Sequence, residues 1–272
     1  MVNLFWADDT GLPAADRGLA YGDGLFETVR MHGRQGALLS RHLERMTRDA
    51  GRLGIPVSRT DLQDACRQAL DRLADRFGDR DWVLKLTLTR GEGGRGYRPA
   101  AHLKPNLLIS AAELPAAAPE SGVAVDFSPV MLTVNPLFSG IKSLNRLEQV
   151  MAARNMDGSL FELIMSDRDG HPVEGTRTNI LLRLTDGWVT PPVSSLAVAG
   201  VMRQWVLERL RERGEPVTER PLMLADLTGS GCRGLYLLNS VLGVVAVRNL
   251  AGEDLPVDRQ LATICDLLET LE

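Results

Sequence analysis

Apolar and polar positions alternate along this chain in two periods, and the switches between them mark out its elements. Leu25-Phe26-Glu27-Thr28-Val29-Arg30-Met31 alternates at every second residue, the period of a half-buried strand, and His32-Gly33-Arg34 supplies a hairpin turn after it. Leu43, Met46 and Ala50 then recur at helical spacing and predict a helix over 41–52, ended by Gly54-Ile55-Pro56. Leu62, Cys66, Ala69, Leu70 and Leu73 predict a stronger amphipathic helix over 58–77, with Ser58 as its cap and Asp61 three residues on. Strand formers dominate Trp82–Arg90 and Leu107–Ser110, and a glycine-rich loop, Gly91–Tyr97, lies between them.

From Ala111 to Gly122 the chain is rich in alanine and proline, which neither form nor fill a core. We therefore expect a smaller N-terminal α/β domain over 1–112, a linker over 113–122 and a larger C-terminal domain over 123–272. In that second domain strands are expected at Val123–Phe127, Phe161–Ser166, Thr178–Leu184, Trp188–Thr190, Gly234–Asn239 and Val244–Val247. A helix is expected just after Lys142, with Leu144, Leu147, Val150 and Met151 on its apolar face. Further helices are expected over Val201–Arg213 and near Leu261–Leu271. Alternation of this kind predicts a mixed α and β (α+β) protein.

Composition narrows the function classes. The 272 residues are 44% apolar and 24% charged, enough for a substantial core without disulfides or structural metal. The formal net charge of -4 and the interleaving of arginines with acids, as in Arg209-Leu210-Arg211-Glu212-Arg213, argue against a nucleic-acid partner. Cys66, Cys232 and Cys265 lack metal-ligand spacing and fit a reducing compartment. No leader-like N-terminus and no apolar run of membrane-spanning length are seen, so the expected location is cytoplasmic with no membrane partner. The chain has no internal repeat, no GxGxxG opening a βαβ unit, no GxxxxGK[ST], and no HExxH among its four histidines.

Three segments carry the chemistry. The first is Asp16-Arg17-Gly18-Leu19-Ala20-Tyr21-Gly22-Asp23-Gly24-Leu25-Phe26-Glu27-Thr28 with Arg41-His42-Leu43-Glu44-Arg45. The second is Gly140-Ile141-Lys142-Ser143-Leu144-Asn145-Arg146-Leu147-Glu148-Gln149-Val150, and the third is Val173-Glu174-Gly175-Thr176-Arg177-Thr178-Asn179-Ile180. In order and spacing, across most of the chain, the set resembles the fold-type IV pyridoxal-phosphate enzymes, which include branched-chain and D-amino acid aminotransferases and aminodeoxychorismate lyases. Gly93-Gly94-Arg95-Gly96-Tyr97 and the run Gly140–Val150 are similar to the lyase subgroup in particular. The resemblance implies two α and β domains with the cofactor site between them, a homodimer, and a C-terminal domain carrying the Schiff-base lysine. It also implies conversion of 4-amino-4-deoxychorismate to 4-aminobenzoate, a folate precursor, and pyruvate.

By residue type alone, Lys142 reads as a loop lysine and Glu174 as an acid beside a turn. The resemblance makes Lys142 the residue that condenses with the cofactor aldehyde and Glu174 the partner of the pyridine nitrogen. It makes Arg45 the phosphate arginine, suited by its planar donors. It assigns the phosphate as well to the backbone of Val201 and Met202, opening a helix, and to Asn239-Ser240. For substrate carboxylates the candidates are Arg95 and Tyr97, on a loop that otherwise reads as flexible and polar, with Thr28 on a bordering strand. Tyr21 is a weaker candidate that also reads as a core aromatic. Glu27 stands where relatives differ and where a glutamate is common among the aminotransferases. Leu147 stands five residues after the lysine, where some relatives have tyrosine. The competing readings are a D-amino acid or branched-chain aminotransferase, and a non-catalytic binding protein on the same fold.

Overall fold

A computed structural model describes residues 2–9, 11–154 and 156–272. The chain divides into two compact units, and the first holds residues 1–115 together with Lys142–Asn145 and Leu268–Glu272. Its elements are β1 (Asn3–Trp6), α1 (Arg17–Tyr21), β2 (Gly24–His32), β3 (Gln35–Gly36), α2 (Leu39–Leu53), α3 (Arg59–Leu73), β4 (Asp81–Thr89) and β5 (Asn106–Glu113). The strands form one sheet in the order β1-β5-β4-β2-β3, with β1 parallel to β5 and the other pairs antiparallel.

The alternation read in β2 sorts its residues as expected: Leu25, Val29 and Met31 are buried, whereas Phe26, Thr28 and Arg30 are only partly so. Leu84, Leu86, Leu88, Leu107 and Ile109 join the same core, as do Leu43 and Met46 of α2 and Leu62 and Ala69 of α3. α2 ends at Gly54, which adopts the left-handed conformation at φ 66°. α3 begins with a reciprocal capping box between Ser58 and Asp61. It stops at Leu73 and passes into a 3-10 turn over Ala74–Arg76, short of the expected end at residue 77. β5 is longer than read from the sequence, because Ala111–Glu113 pair with Leu84–Trp82 despite their small side chains.

The second unit holds Ala116–Ile141 and Arg146–Leu267. It contains β6 (Val123–Phe127), α4 (Leu147–Ala153), β7 (Glu162–Ser166), β8 (Pro172–Gly175), β9 (Asn179–Leu184), β10 (Gly187–Thr190), α5 (Val201–Glu212), β11 (Val217–Glu219), α6 (Leu224–Thr228), β12 (Cys232–Asn239), β13 (Gly243–Leu250), β14 (Glu253–Asp254) and α7 (Gln260–Ile264). Its strands run β11-β10-β9-β12-β13-β6-β7-β8, and a further pairing of β8 with β9 closes six of them into a ring. Val123, Val125, Ile164, Ile180, Leu182, Leu235, Leu237, Val245 and Val247 form one apolar core.

Two expected helices differ. The helix after Lys142 begins only at Leu147, because residues 142–144 are drawn into backbone pairing with β2. The face read as core is exposed: Leu147 is 73% and Val150 60% accessible, while Gln149 and Ala152 point inward. Helical spacing of apolar residues marks a face but not what covers it. The closing helix over 261–271 is broken into α7 and a 3-10 turn, Leu267–Thr270. Lys142–Asn145 group with the first unit, not with the C-terminal half where the lysine was expected.

Candidate active site

Lys142 is held on β2 by the backbone. Phe26 N–H donates to the Lys142 carbonyl at 3.0 Å, Leu144 N–H donates to Gly24 O at 3.0 Å, and Leu25 bridges Ser143. Gly22-Asp23-Gly24 makes this approach feasible. Gly22 closes α1 in the left-handed conformation, and a Cβ there would lie 2.6 Å from Asn145 Oδ1. A Cβ on Gly24 would lie 2.3 Å from Leu88 O. Asp23 receives Arg17 Nε at 2.9 Å and Arg90 Nε at 2.7 Å, which anchors the turn. The Lys142 ammonium rests 4.2 Å from the centroid of the Phe26 ring.

On the opposite, buried side of β2 stands Glu27, 1% exposed. It accepts Arg45 Nε at 2.7 Å and Arg45 Nη2 at 2.6 Å, and it meets His42 Nδ1 at 2.6 Å. Burial by itself would raise the Glu27 carboxyl, but the Arg45 charge and then His42 hold it down at about 2. Burial lowers His42 from its usual value, with the Glu27 charge opposing. His42 Nδ1 is thus the donor to Glu27, and His42 Nε2 is buried without a hydrogen-bond partner among the described residues. Arg45, the expected phosphate arginine, is 5% exposed and has its guanidinium oriented by this carboxylate. Glu27 and His42 were not read as a pair from the sequence. The signal was available: an acid at a buried phase of an alternating strand requires a cationic partner.

The glycine-rich loop is tied down by Arg17, itself 3% exposed, whose guanidinium donates to Gly96 O at 3.0 Å and Tyr97 O at 2.8 Å. Tyr21 packs edge-on against Tyr97 at 5.6 Å and accepts Gly96 N–H, so it is not a core aromatic. Arg95 and Tyr97 point their side chains to solvent, and Tyr97 is 86% exposed. Thr28 lies partly buried on the Phe26 face of β2, opposite Lys85 of β4.

In the second unit Glu174 is 3% exposed at the end of β8, directly opposite Asn179 of β9. Its Oε2 accepts Val198 N–H at 3.3 Å, and Asn179 Nδ2 donates to Val198 O at 2.9 Å. The intervening turn is organised by Glu162, a fully buried carboxylate unremarked in the sequence although it interrupts the apolar run Phe161–Met165. Glu162 accepts Thr176 N–H at 3.0 Å, the Thr176 hydroxyl, and the Thr178 hydroxyl at 3.3 Å. α5 opens at Gly200, which has no side chain to cap the first turn, and a Cβ there would lie 2.1 Å from Asn179 Oδ1. Val201 and Met202 are buried in that first turn. Asn239 accepts Val241 and Leu242 N–H within its own turn and donates across to Arg177 O of the β8–β9 turn. Ser240 follows, partly buried, between β12 and β13.

Each of these groups, taken by itself, is of a kind that a phosphorylated pyridoxal needs: an amine for an aldehyde, a buried carboxylate for a ring nitrogen, and an uncapped helix start for a phosphate. A family model described as amino-transferase class IV matches residues 24–250. The aminodeoxychorismate lyase of Vibrio harveyi is 33% identical over 264 residues, 94% of each chain. A putative branched-chain-amino-acid aminotransferase of Methanocaldococcus jannaschii is 33% identical over 249 residues, 90% of this chain and 84% of its own. The crystal structure of 4-amino-4-deoxychorismate lyase from Pseudomonas aeruginosa superposes with a TM-score of 0.84 at 38% identity, covering 94% of this chain and 93% of that one.

Proposed function

The chain belongs to the amino-transferase class IV family, and from that premise we propose that it is a pyridoxal 5'-phosphate-dependent lyase. Its reaction would convert 4-amino-4-deoxychorismate to 4-aminobenzoate and pyruvate, a step toward folate. The observation that carries this reading is the likeness of nearly the whole chain to lyases of that name, with Lys142 presented on β2.

Lys142 would hold the cofactor aldehyde, and Glu174 would keep a proton on the pyridine nitrogen. The first-turn N–H groups of Val201 and Met202, with Arg45 and Ser240, would hold the phosphate; Asn239 shapes the turn that presents Ser240. Once bound, the cofactor ring supplies an electron sink for carbanion chemistry. The Lys142 amine, freed when the substrate amine takes its place, would remove the proton at C4 of the substrate; the C3–O bond to the enolpyruvyl group would break, and Lys142 would return the proton to the departing group as it becomes pyruvate. Arg95, Tyr97 and Thr28 contact the substrate. Three buried thiols, Cys66, Cys232 and Cys265, support a reducing, cytoplasmic setting. The exposed apolar face of α4 supports a homodimer, which light scattering tests.

The test is incubation with 4-amino-4-deoxychorismate while 4-aminobenzoate and pyruvate are followed together. Equal amounts of both are expected, and Lys142→Ala should lose the cofactor's visible absorption and turnover alike. Cofactor absorption without these products, with amino transfer to 2-oxoglutarate, would establish the aminotransferase reading that the Methanocaldococcus jannaschii relative favours.

A further inference from the structure

We propose that Lys85, flanked by Thr28 and Ser110, anchors the ring carboxylate of the substrate, the one retained in 4-aminobenzoate. This inference rests on the lyase reading and names the group that would recognise one end of its substrate.

The sheet register places the three residues in a row. Thr28 of β2 lies directly opposite Lys85 of β4, and Lys85 directly opposite Ser110 of β5. Residues opposite one another across antiparallel strands project from the same face. Here that is the partly buried face that also carries Phe26, not the face closed by the core. The row is therefore hydroxyl, ammonium, hydroxyl, a donor set suited to a carboxylate.

Lys85 and Lys142 both set their ammonium groups against Phe26, at 5.3 and 4.2 Å from the ring centroid. The two distances together bound the separation of the ammonium nitrogens at under about 10 Å. Standard bond lengths put an amine nitrogen and the carboxylate carbon para to it on a six-membered ring about 6 Å apart. A substrate whose amine takes the place of the Lys142 amine can therefore reach Lys85 with its carboxylate, with Phe26 as an aromatic floor.

Lys85 is exposed and makes no hydrogen bond or ion pair among the described residues. Arg30, its neighbour on the same face, is by contrast paired with Asp81. The chain also uses lysine at only three positions, Lys85, Lys104 and Lys142, among 31 basic residues. Where almost every surface cation is arginine, a compact ammonium on the ring that carries Lys142 is a distinct choice.

The test compares 4-aminobenzoate with 4-aminobenzamide, which lacks only the charge, binding to the cofactor-loaded protein by calorimetry. Wild type should prefer the acid. Lys85→Met should reduce that preference about tenfold and raise KM for 4-amino-4-deoxychorismate by a similar factor, with kcat within about twofold. Lys85→Arg should restore most of the preference, because the charge remains. Thermal melts of both variants should match wild type, since the side chain is exposed. An unchanged acid-to-amide ratio in Lys85→Met would overturn the anchor and leave the lyase reading intact. A wild-type protein that neither binds 4-aminobenzoate nor forms it would overturn the lyase reading and the anchor together.

Discussion

Replacing Glu27 with glutamine probes the joint between β2 and α2. In the folded chain this carboxyl sits at about 2, against an ordinary value of 4.5. That difference corresponds to about 3 kcal/mol of stability at neutral pH. Breaking a buried ion pair by removing one partner costs roughly 3–5 kcal/mol by an independent route. The two agree, so Glu27→Gln should lose about 3 kcal/mol at pH 7 in urea unfolding. A folded pKa below the unfolded one means that this contribution is present above 4.5 and lost as pH falls toward 2. Titration of Glu27 by itself narrows the gap between wild type and variant by about 1 kcal/mol between pH 7 and pH 4. His42, also lowered, costs both proteins stability as pH falls below its ordinary 6.5, and costs the variant more, because the opposing Glu27 charge is gone there. A gap under about 1 kcal/mol at pH 7 would refute the account of Glu27 as a charged joint.

Gly24→Ala should destabilise the chain by roughly 1–3 kcal/mol in the same assay, because the new methyl would meet Leu88 O and press β2 from β4. It should also weaken reductive trapping of pyridoxal phosphate on Lys142, whose segment hydrogen-bonds Gly24. Glu162→Ala strips the acceptor from Thr176 N–H and the hydroxyls of Thr176 and Thr178. A loss of about 3 kcal/mol in unfolding and weaker cofactor affinity by fluorescence titration are expected, and wild-type values for both would remove Glu162 from the turn's support.

What the sequence made legible was local. The Ser58–Asp61 cap, the glycine stop of α2 and the alternation of β2 each involve neighbours within a few residues, and each is present as read. What it hid was either non-local or a matter of covering. Glu27 reaches His42 and Arg45, 15 and 18 residues away, across a strand-to-helix packing that no local period encodes. Glu162 reaches Thr176 in the same way. The apolar face of α4 was legible as a face, but its exposure was not, because periodicity reports segregation of side chains and not their partner. Lys142 had no local signal beyond its flanking motif, since its placement depends on backbone pairing with a strand more than a hundred residues earlier.

The motif residues divide in consequence into joints and working groups. Asp16 is fully buried and spends its oxygens on Gly18 N–H, the Thr89 hydroxyl and Asn106 Nδ2, fastening α1 to β4 and β5. Asp23 fastens Arg17 and Arg90, and those charges hold its carboxyl below the usual range against the opposing effect of burial. Glu27 fastens β2 to α2, and Glu162 fastens the turn after Glu174. A buried carboxylate is costly unless several donors meet it, so each of these acids fixes the positions of its donors as firmly as its own. An acid-rich motif would thus be misread as a cluster of general acids and bases. Most of its acids are spent on protein donors; they hold still the strand on which Lys142 rests, the guanidinium of Arg45 and the turn that follows Glu174.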